Sequence, residues 1–335
     1  MYLILKSFFA GVEEGTDGAV FFHAAVDQNE AAVNIEAFLR ERQGAALFLG
    51  DSLQFLQEKG WGRPDQPLTA EAILAAEGEK TWEVVESLNI DMSVFNVLSY
   101  PKLYHNLKAA VKQHCTEIRL PQVFYQDTAI SGSAMLDILQ RKAYGELPGN
   151  MEEAAKEATE VLLQTGDGQL CDMIIDRACL EAIHEAGVNA EDAFIRDYAV
   201  STVQVSNIKI AARCMATGKS EEFTLKALAP CDGLNTADMA KAAAGGNLLT
   251  LLQECGFGEA AEAIGESPSA FERWCDNRII ETIQPQLYDC FTVGPLVAYV
   301  LARENEIKTV RIILSGKLNE LSDESIRERV RKMYV

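Results

Sequence analysis

The chain has 335 residues, 48% of them hydrophobic and 24% charged, a globular composition that excludes a disordered chain and leaves room for a substantial core. Its 50 acidic residues against 30 basic ones give a formal charge of −20. Such a surface repels phosphate backbones and anionic headgroups, which argues against nucleic-acid binding and direct lipid insertion and favours a basic protein partner.

In chain order, the first residues MYLILKSFFAGV are apolar, but no basic stretch precedes them and Glu13 and Glu14 soon follow, so they do not read as a signal peptide. Ala19 to Val26 and Ala45 to Leu49 are short apolar runs, strands or buried helical turns alike by periodicity. From there helical signals dominate. Thr69, Asn150, Ser267 and Ser322 each precede a periodic segment and can cap it, with Glu153 completing a capping box on Asn150 and Pro268 at a first helical position. Between Glu146 and Asp197 thirteen acidic residues face three basic ones, so this stretch is either a solvated helical face or a partner surface. The run Phe291 to Ala302 is too short to span a bilayer. In the last predicted helix, Asp323 and Glu324 at the start and Arg327, Arg329, Arg331 and Lys332 towards the end complement the helix dipole. Leu321 and Ile326 flank its cap at staple spacing, and Ile326, Val330 and Met333 are expected to line its packed face. The chain reads as mainly or wholly α-helical.

A weak repeat of about a hundred residues runs through it. Asn106-Leu107-Lys108 recurs as Asn207-Ile208-Lys209, with Lys112 opposite Arg213. Arg213 and Gly218-Lys219 recur as Arg311 and Gly316-Lys317, with Asn207 opposite Asn305. Asp176 and Asp276 stand near Arg177 and Arg278. Three such passages would make a pseudo-threefold helical assembly, although amphipathic helices also resemble one another by default.

Catalytic motifs are thin. Thr217-Gly218-Lys219-Ser220 looks like the end of a phosphate-binding loop, but Arg213 stands where that loop needs glycine, and Ile208 to Met215 reads as a helix ending on a C′ glycine. His23, His105, His114 and His184 are dispersed, with no metal-ligand spacing. No nucleophile elbow or dinucleotide fingerprint is present. The eight cysteines, at 115, 171, 179, 214, 231, 255, 275 and 290, form no Cys-x-x-Cys pair and read as reduced, buried thiols of a cytosolic protein. We therefore expect no catalytic, cofactor-binding or metal residues.

The segment PLVAYVLARENEIKTVRIILSGKLN from Pro295 to Asn319, followed by SDESIRERV from Ser322 to Val330, closely resembles the ending of the C subunit of bacterial and archaeal V/A-type ATPases, the family of the vacuolar ATPase d subunit. Tyr299, Arg303, Glu304, Glu306, Ile307, Val310 and Arg311 match its long helix, and Gly316, Lys317 and Leu318 match a Gly-Lys-Leu turn before a short terminal helix. Asn106 and Lys108 fit its first Tyr-x-Asn-Leu-Lys helix, and Asn207, Lys209 and Arg213 its second. The resemblance covers roughly residues 80 to 335; about the first 60 residues depart from the family's arginine-bearing opening.

What the resemblance implies is a single all-α domain over 1–335, a funnel of three similar lobes with pseudo-threefold symmetry, interleaved over about 1–120, 121–230 and 231–335. It further implies a non-catalytic rotor subunit on the cytoplasmic face of the membrane. Its partners would be the proteolipid ring and central-stalk subunits of the D and F type, and its role the coupling of ATP hydrolysis or synthesis to proton or sodium transport. A helical-repeat scaffold outside an ATPase and an enzyme with a site in an interlobe cleft are the competing readings. The residue order from Glu304 to Leu318 favours the first. Tyr299, Ile307 and Val310 also suit plain packing, and Glu304, Glu306 and Arg311 suit ion pairs between lobes.

Overall fold

The structure, a computed structural model, describes residues 49–88, 90, 92–116, 120–289 and 292–334. The apolar runs at 19–26 and 45–48 lie outside the described residues. Among the described residues there are fourteen α-helices and no strand, so the chain is all-α as its periodicity predicts. It divides into two compact units, one from Phe95 to Gly265 and the other combining the described residues up to Val94 with those from Glu266 onwards.

The first unit holds nine helices: α3 (Asn96–Thr116), α4 (Gly132–Arg141), α5 (Met151–Thr165), α6 (Gly168–Val188), α7 (Ala193–Ala216), α8 (Glu221–Ala227), α9 (Thr236–Gly245), α10 (Leu248–Glu254) and α11 (Gly258–Glu266). The caps are local chemistry: Asp167, Asp192, Ser220 and Asn235 each accept a first-turn backbone N–H. α3 buries Leu103, Leu107, Ala110 and Val111, an i, i+4, i+7, i+8 stripe, and packs against α4, α5 and α6. α5 buries Ala154, Ala155 and Ala158 while Glu153, Glu157 and Glu160 face solvent, so part of the acidic stretch is an exposed helical face. α6 and α7 approach closely at Gly187, where a Cβ would stand 2.4 Å from the Cβ of Ala199. Only a glycine fits there.

The second unit holds α1 (Leu49–Glu58), α2 (Ala70–Glu86), α12 (Pro268–Ile283), α13 (Gly294–Leu318) and α14 (Asp323–Arg327). Its core joins Leu53 and Leu56 of α1, Ile73 and Leu74 of α2, and Val310 and Leu314 of α13. Thr69, Ser267 and Ser322 cap their helices as the sequence predicts. Ile313 and Ile326 form a second cluster with Leu321 and Val330 against it, so the staple pair does meet.

Four expectations are corrected. Asn150 stands ahead of α5 but makes no cap, because its carboxamide is used between helices: Nδ2 donates to the Ala178 carbonyl at 2.8 Å and Oδ1 accepts from the Tyr104 hydroxyl. Gly316-Lys317-Leu318 is no turn but the last turn of α13, and the missing Cβ of Gly316 makes room for Ile326, whose Cγ1 would lie 2.6 Å from it. The reversal comes at Asn319-Glu320, with Glu320 left-handed at φ +54° and Leu321 N–H donating back to the Gly316 carbonyl at 2.9 Å. α14 stops at Arg327, so Arg329, Arg331 and Lys332 lie beyond it; the Glu328 carbonyl accepts from Arg273 and the Lys332 N–H donates to Asn277 at 2.7 Å instead of continuing the helix. Cys255 is exposed and Cys115 and Cys231 are half-buried, whereas Cys171, Cys179, Cys214 and Cys275 are buried free thiols.

Candidate functional site

Three buried asparagines organise the long helices. Asn106 on α3 donates to the Tyr125 carbonyl at 2.8 Å and to the Thr128 hydroxyl at 2.9 Å, while its oxygen accepts from the Tyr125 N–H at 2.8 Å. Asn207 on α7 donates to the Ala229 carbonyl at 2.7 Å and accepts from the Ala229 N–H at 3.1 Å. Asn305 on α13 donates to the Lys332 carbonyl at 2.9 Å. Each carboxamide fastens a returning segment to its helix and satisfies backbone groups that have no ladder to join. The recurrence is stronger than the residue matches alone suggest, since the same side chain makes the same kind of bond in all three places.

Ion pairs tie the helices in two styles. Lys108 pairs with Asp176, and Lys112 donates to Asp172 at 2.9 Å, so α3 and α6 are joined by two rungs one helical turn apart. Asp276 on α12 takes Lys308 at 2.7 Å and Arg331 at 2.6 Å. Among the described residues neither Asp176 with Arg177 nor Asp276 with Arg278 forms an ion pair. Arg177 turns instead to Glu181 at 2.8 Å. The second style is buried, as the Asp276–Arg331 pair is: Arg303 on α13 reaches Glu77 of α2 at 2.5 Å and also pairs with Glu306. Glu77 accepts the Gly62 N–H at 2.8 Å and Lys80 at 2.7 Å, and the Trp61 ring lies 5.4 Å from the Arg303 guanidinium. Burial opposes the charge on Arg303, but Glu306 and Glu77 outweigh it and raise its pKa. Sequence reading missed Glu77. The available signal was an acid on the buried stripe of α2, in register with Ile73 and Thr81.

The remaining motif residues are scattered across both units. Lys209 and Tyr299 have interactions of their own, the first half-buried and the second buried; Glu304, exposed, also has one. Lys317 pairs with Asp323. Arg213 and Arg311 are exposed, and neither has an ion-pair partner among the described residues. Thr217 to Ser220 does not cradle a phosphate. The Lys219 N–H donates to the Cys214 carbonyl at 3.0 Å and the Gly218 N–H to Met215 at 3.2 Å, a six-to-one and five-to-two helix ending with Gly218 at φ +64°. The Lys219 ammonium donates to Gln169 at 2.9 Å and lies 4.7 Å from the Phe223 ring centroid.

Each unit carries a sizeable concavity on this scaffold. That of the first unit, about 810 Å³, is lined by α3, α6, α7 and α8 and includes Lys108, Lys209, Arg213 and Lys219. That of the second, about 700 Å³, lies between α12, α13 and the tail and includes Arg311, Arg329 and Arg331. Both offer cations and apolar walls, an arrangement for binding. Burial pushes the Cys179 thiol at the first concavity up to about 12, with Asp176 adding to the rise, so it is no nucleophile.

Comparison with known proteins accounts for this pattern. Residues 45–329 match the family model described as ATP synthase (C/AC39) subunit, which reaches further upstream than the motifs alone. The C subunit of the V-type sodium ATPase of Enterococcus hirae is 21% identical over 270 residues, covering 79% of this chain and 82% of that protein. The C subunit of the A-type ATP synthase of Methanocaldococcus jannaschii is 27% identical over 175 residues, covering 47% of this chain and 42% of that one. The A-type C subunit of Haloquadratum walsbyi is 24% identical and covers 60% of each chain. With the match spanning most of its length, the chain belongs to the ATP synthase (C/AC39) subunit family and is a non-catalytic subunit of a rotary ATPase complex.

Proposed function

We propose that this protein is the rotor adaptor that joins the central stalk, with its D- and F-type subunits, to the proteolipid ring on the cytoplasmic face of the membrane. It would then carry torque between ATP hydrolysis or synthesis and proton or sodium movement. The observation that carries the reading is the family match over residues 45–329, together with relatives that are the C subunits of V-type and A-type machines. The physical fit is stiffness. A part that passes torque must not yield, and close-packed helices fastened by buried carboxamides and ion pairs resist deformation. The division into three lobes, with Asn106, Asn207 and Asn305 as corresponding positions, belongs to the same proposal and is supported by the recurring asparagine bonds. Among the described residues no helix is long and apolar enough to cross a membrane.

Reconstitution tests this. In vesicles carrying the complex without this chain, ATP hydrolysis should continue without ATP-driven ion uptake, and adding the purified chain should restore uptake. Coupled uptake in its absence would overturn the reading, as would a purified chain that binds neither ring nor stalk.

A further inference from the structure

The two-rung contact between α3 and α6 has a second copy that is only partly filled. Lys108 and Lys112 stand one turn apart on α3, and Asp176 and Asp172 one turn apart on α6, so the two helices cross rung by rung. The spacing that sets Asn106 on Asn207 sets Lys108 on Lys209 and Lys112 on Arg213. Lys209 already has an interaction of its own. Arg213 is exposed, and its guanidinium has no ion-pair or hydrogen-bond partner among the described residues. Both line the concavity of about 810 Å³, whose own acids, Asp172 and Asp176, are taken by α3. In a chain of charge −20 this is a locally cationic hollow, and so a place where an acidic segment can approach.

We propose that this concavity receives an α-helix of a partner chain carrying carboxylates one turn apart, one of which closes on Arg213 as Asp172 closes on Lys112. A helix is favoured over a free anion by two observations. The cations repeat at the i, i+4 spacing that the docked α6 matches, and the wall beside them, with Leu180, Ile183 and Ile210, is apolar and suits side chains rather than a hydrated ion. The guanidinium at the open rung can take a carboxylate in two parallel bonds, which fixes register as well as charge. The proposal deepens the adaptor reading by describing the chemistry of one partner surface.

The test is arginine-selective labelling with phenylglyoxal, read by mass spectrometry on the free full-length chain and on the tagged complex purified from host membranes. Arg213 should label in the free chain and be protected on the order of tenfold in the complex. Arg213→Glu should lower the partner retained by the tagged chain on the order of tenfold, while Arg213→Lys keeps most of it. Both variants should melt like the parent, because the Arg213 guanidinium makes no ion pair among the described residues. Equal labelling with undiminished retention by Arg213→Glu overturns the proposal, whichever partners co-purify. If ring and stalk co-purify while Arg213 labels as in the free chain, the docking proposal fails and the adaptor reading stands. If Arg213 is protected but ring and stalk are absent, the reverse holds.

Discussion

The rungs between α3 and α6 and the cluster around Arg303 use the same charges in opposite surroundings. Lys112 and Asp172 have side chains 41% and 36% exposed, whereas Arg303 and Glu77 are 16% and 6% exposed. Water screens the first pair and returns to each partner when the other is removed. No such relief exists at the second. The lesson is that an ion pair matters less for its attraction than for what its loss leaves behind.

The largest effect should come from the buried side. Glu77→Ala leaves Arg303 without its partner on α2 and frees the Gly62 N–H, and should cost about 3–5 kcal/mol in denaturant unfolding. The double variant Glu77→Leu with Arg303→Met should recover most of that, and a double variant as unstable as the single would refute the desolvation argument. Next in size, Asn207→Ala should cost about 2–3 kcal/mol because both a donor and an acceptor on Ala229 lose their partner. Asn305→Ala, with one bond to Lys332, should cost about 1 kcal/mol. Equal losses at the two sites would mean the carboxamides do not act through these bonds. Asp172→Asn on the exposed rung should cost no more than about 1 kcal/mol, an effect that fades in high salt.

The smallest effect is invisible near neutrality. The buried Cys179 thiol rises from its usual 9.0 to about 12 and that of Cys171 to about 11, both through burial. The folded state therefore holds these protons after the unfolded chain has released them. Their contribution is fully present below pH 9 and is lost as pH climbs through the folded values. Urea midpoints should fall between pH 9 and pH 12, and less steeply in Cys179→Ala; parallel curves would contradict it.

Much of the fold was legible because its signals are local. A serine or threonine before an apolar period caps a helix whatever else the chain does, and Thr69, Ser267 and Ser322 do so. Gly218 likewise ends α7 by its own backbone freedom. Asn150 carried the same local signal and failed, since Tyr104 and Ala178 compete for its carboxamide. Gly316 looked like a turn residue because contact with Ile326, ten positions on, cannot be read from its neighbours. The pairing of Arg303 with Glu77 spans 226 positions and has no local trace beyond one acid in an apolar stripe. The motif residues were found by the hundred-residue repeat and by resemblance, and the open rung at Arg213 became visible only when α3 supplied its filled counterpart.

The asparagine bonds also bear on how the chain is made. They close over 19, 22 and 27 residues, so each long helix receives its fastening soon after it leaves the ribosome, without waiting for distant sequence. Loops this short cost little entropy to close, and contacts of low sequence separation form early. We expect the chain to fold in successive steps during synthesis, each ended by one asparagine. A force profile of stalled nascent chains should show separate events as 125–128, 229 and 332 emerge, and a single event at full length would contradict this order.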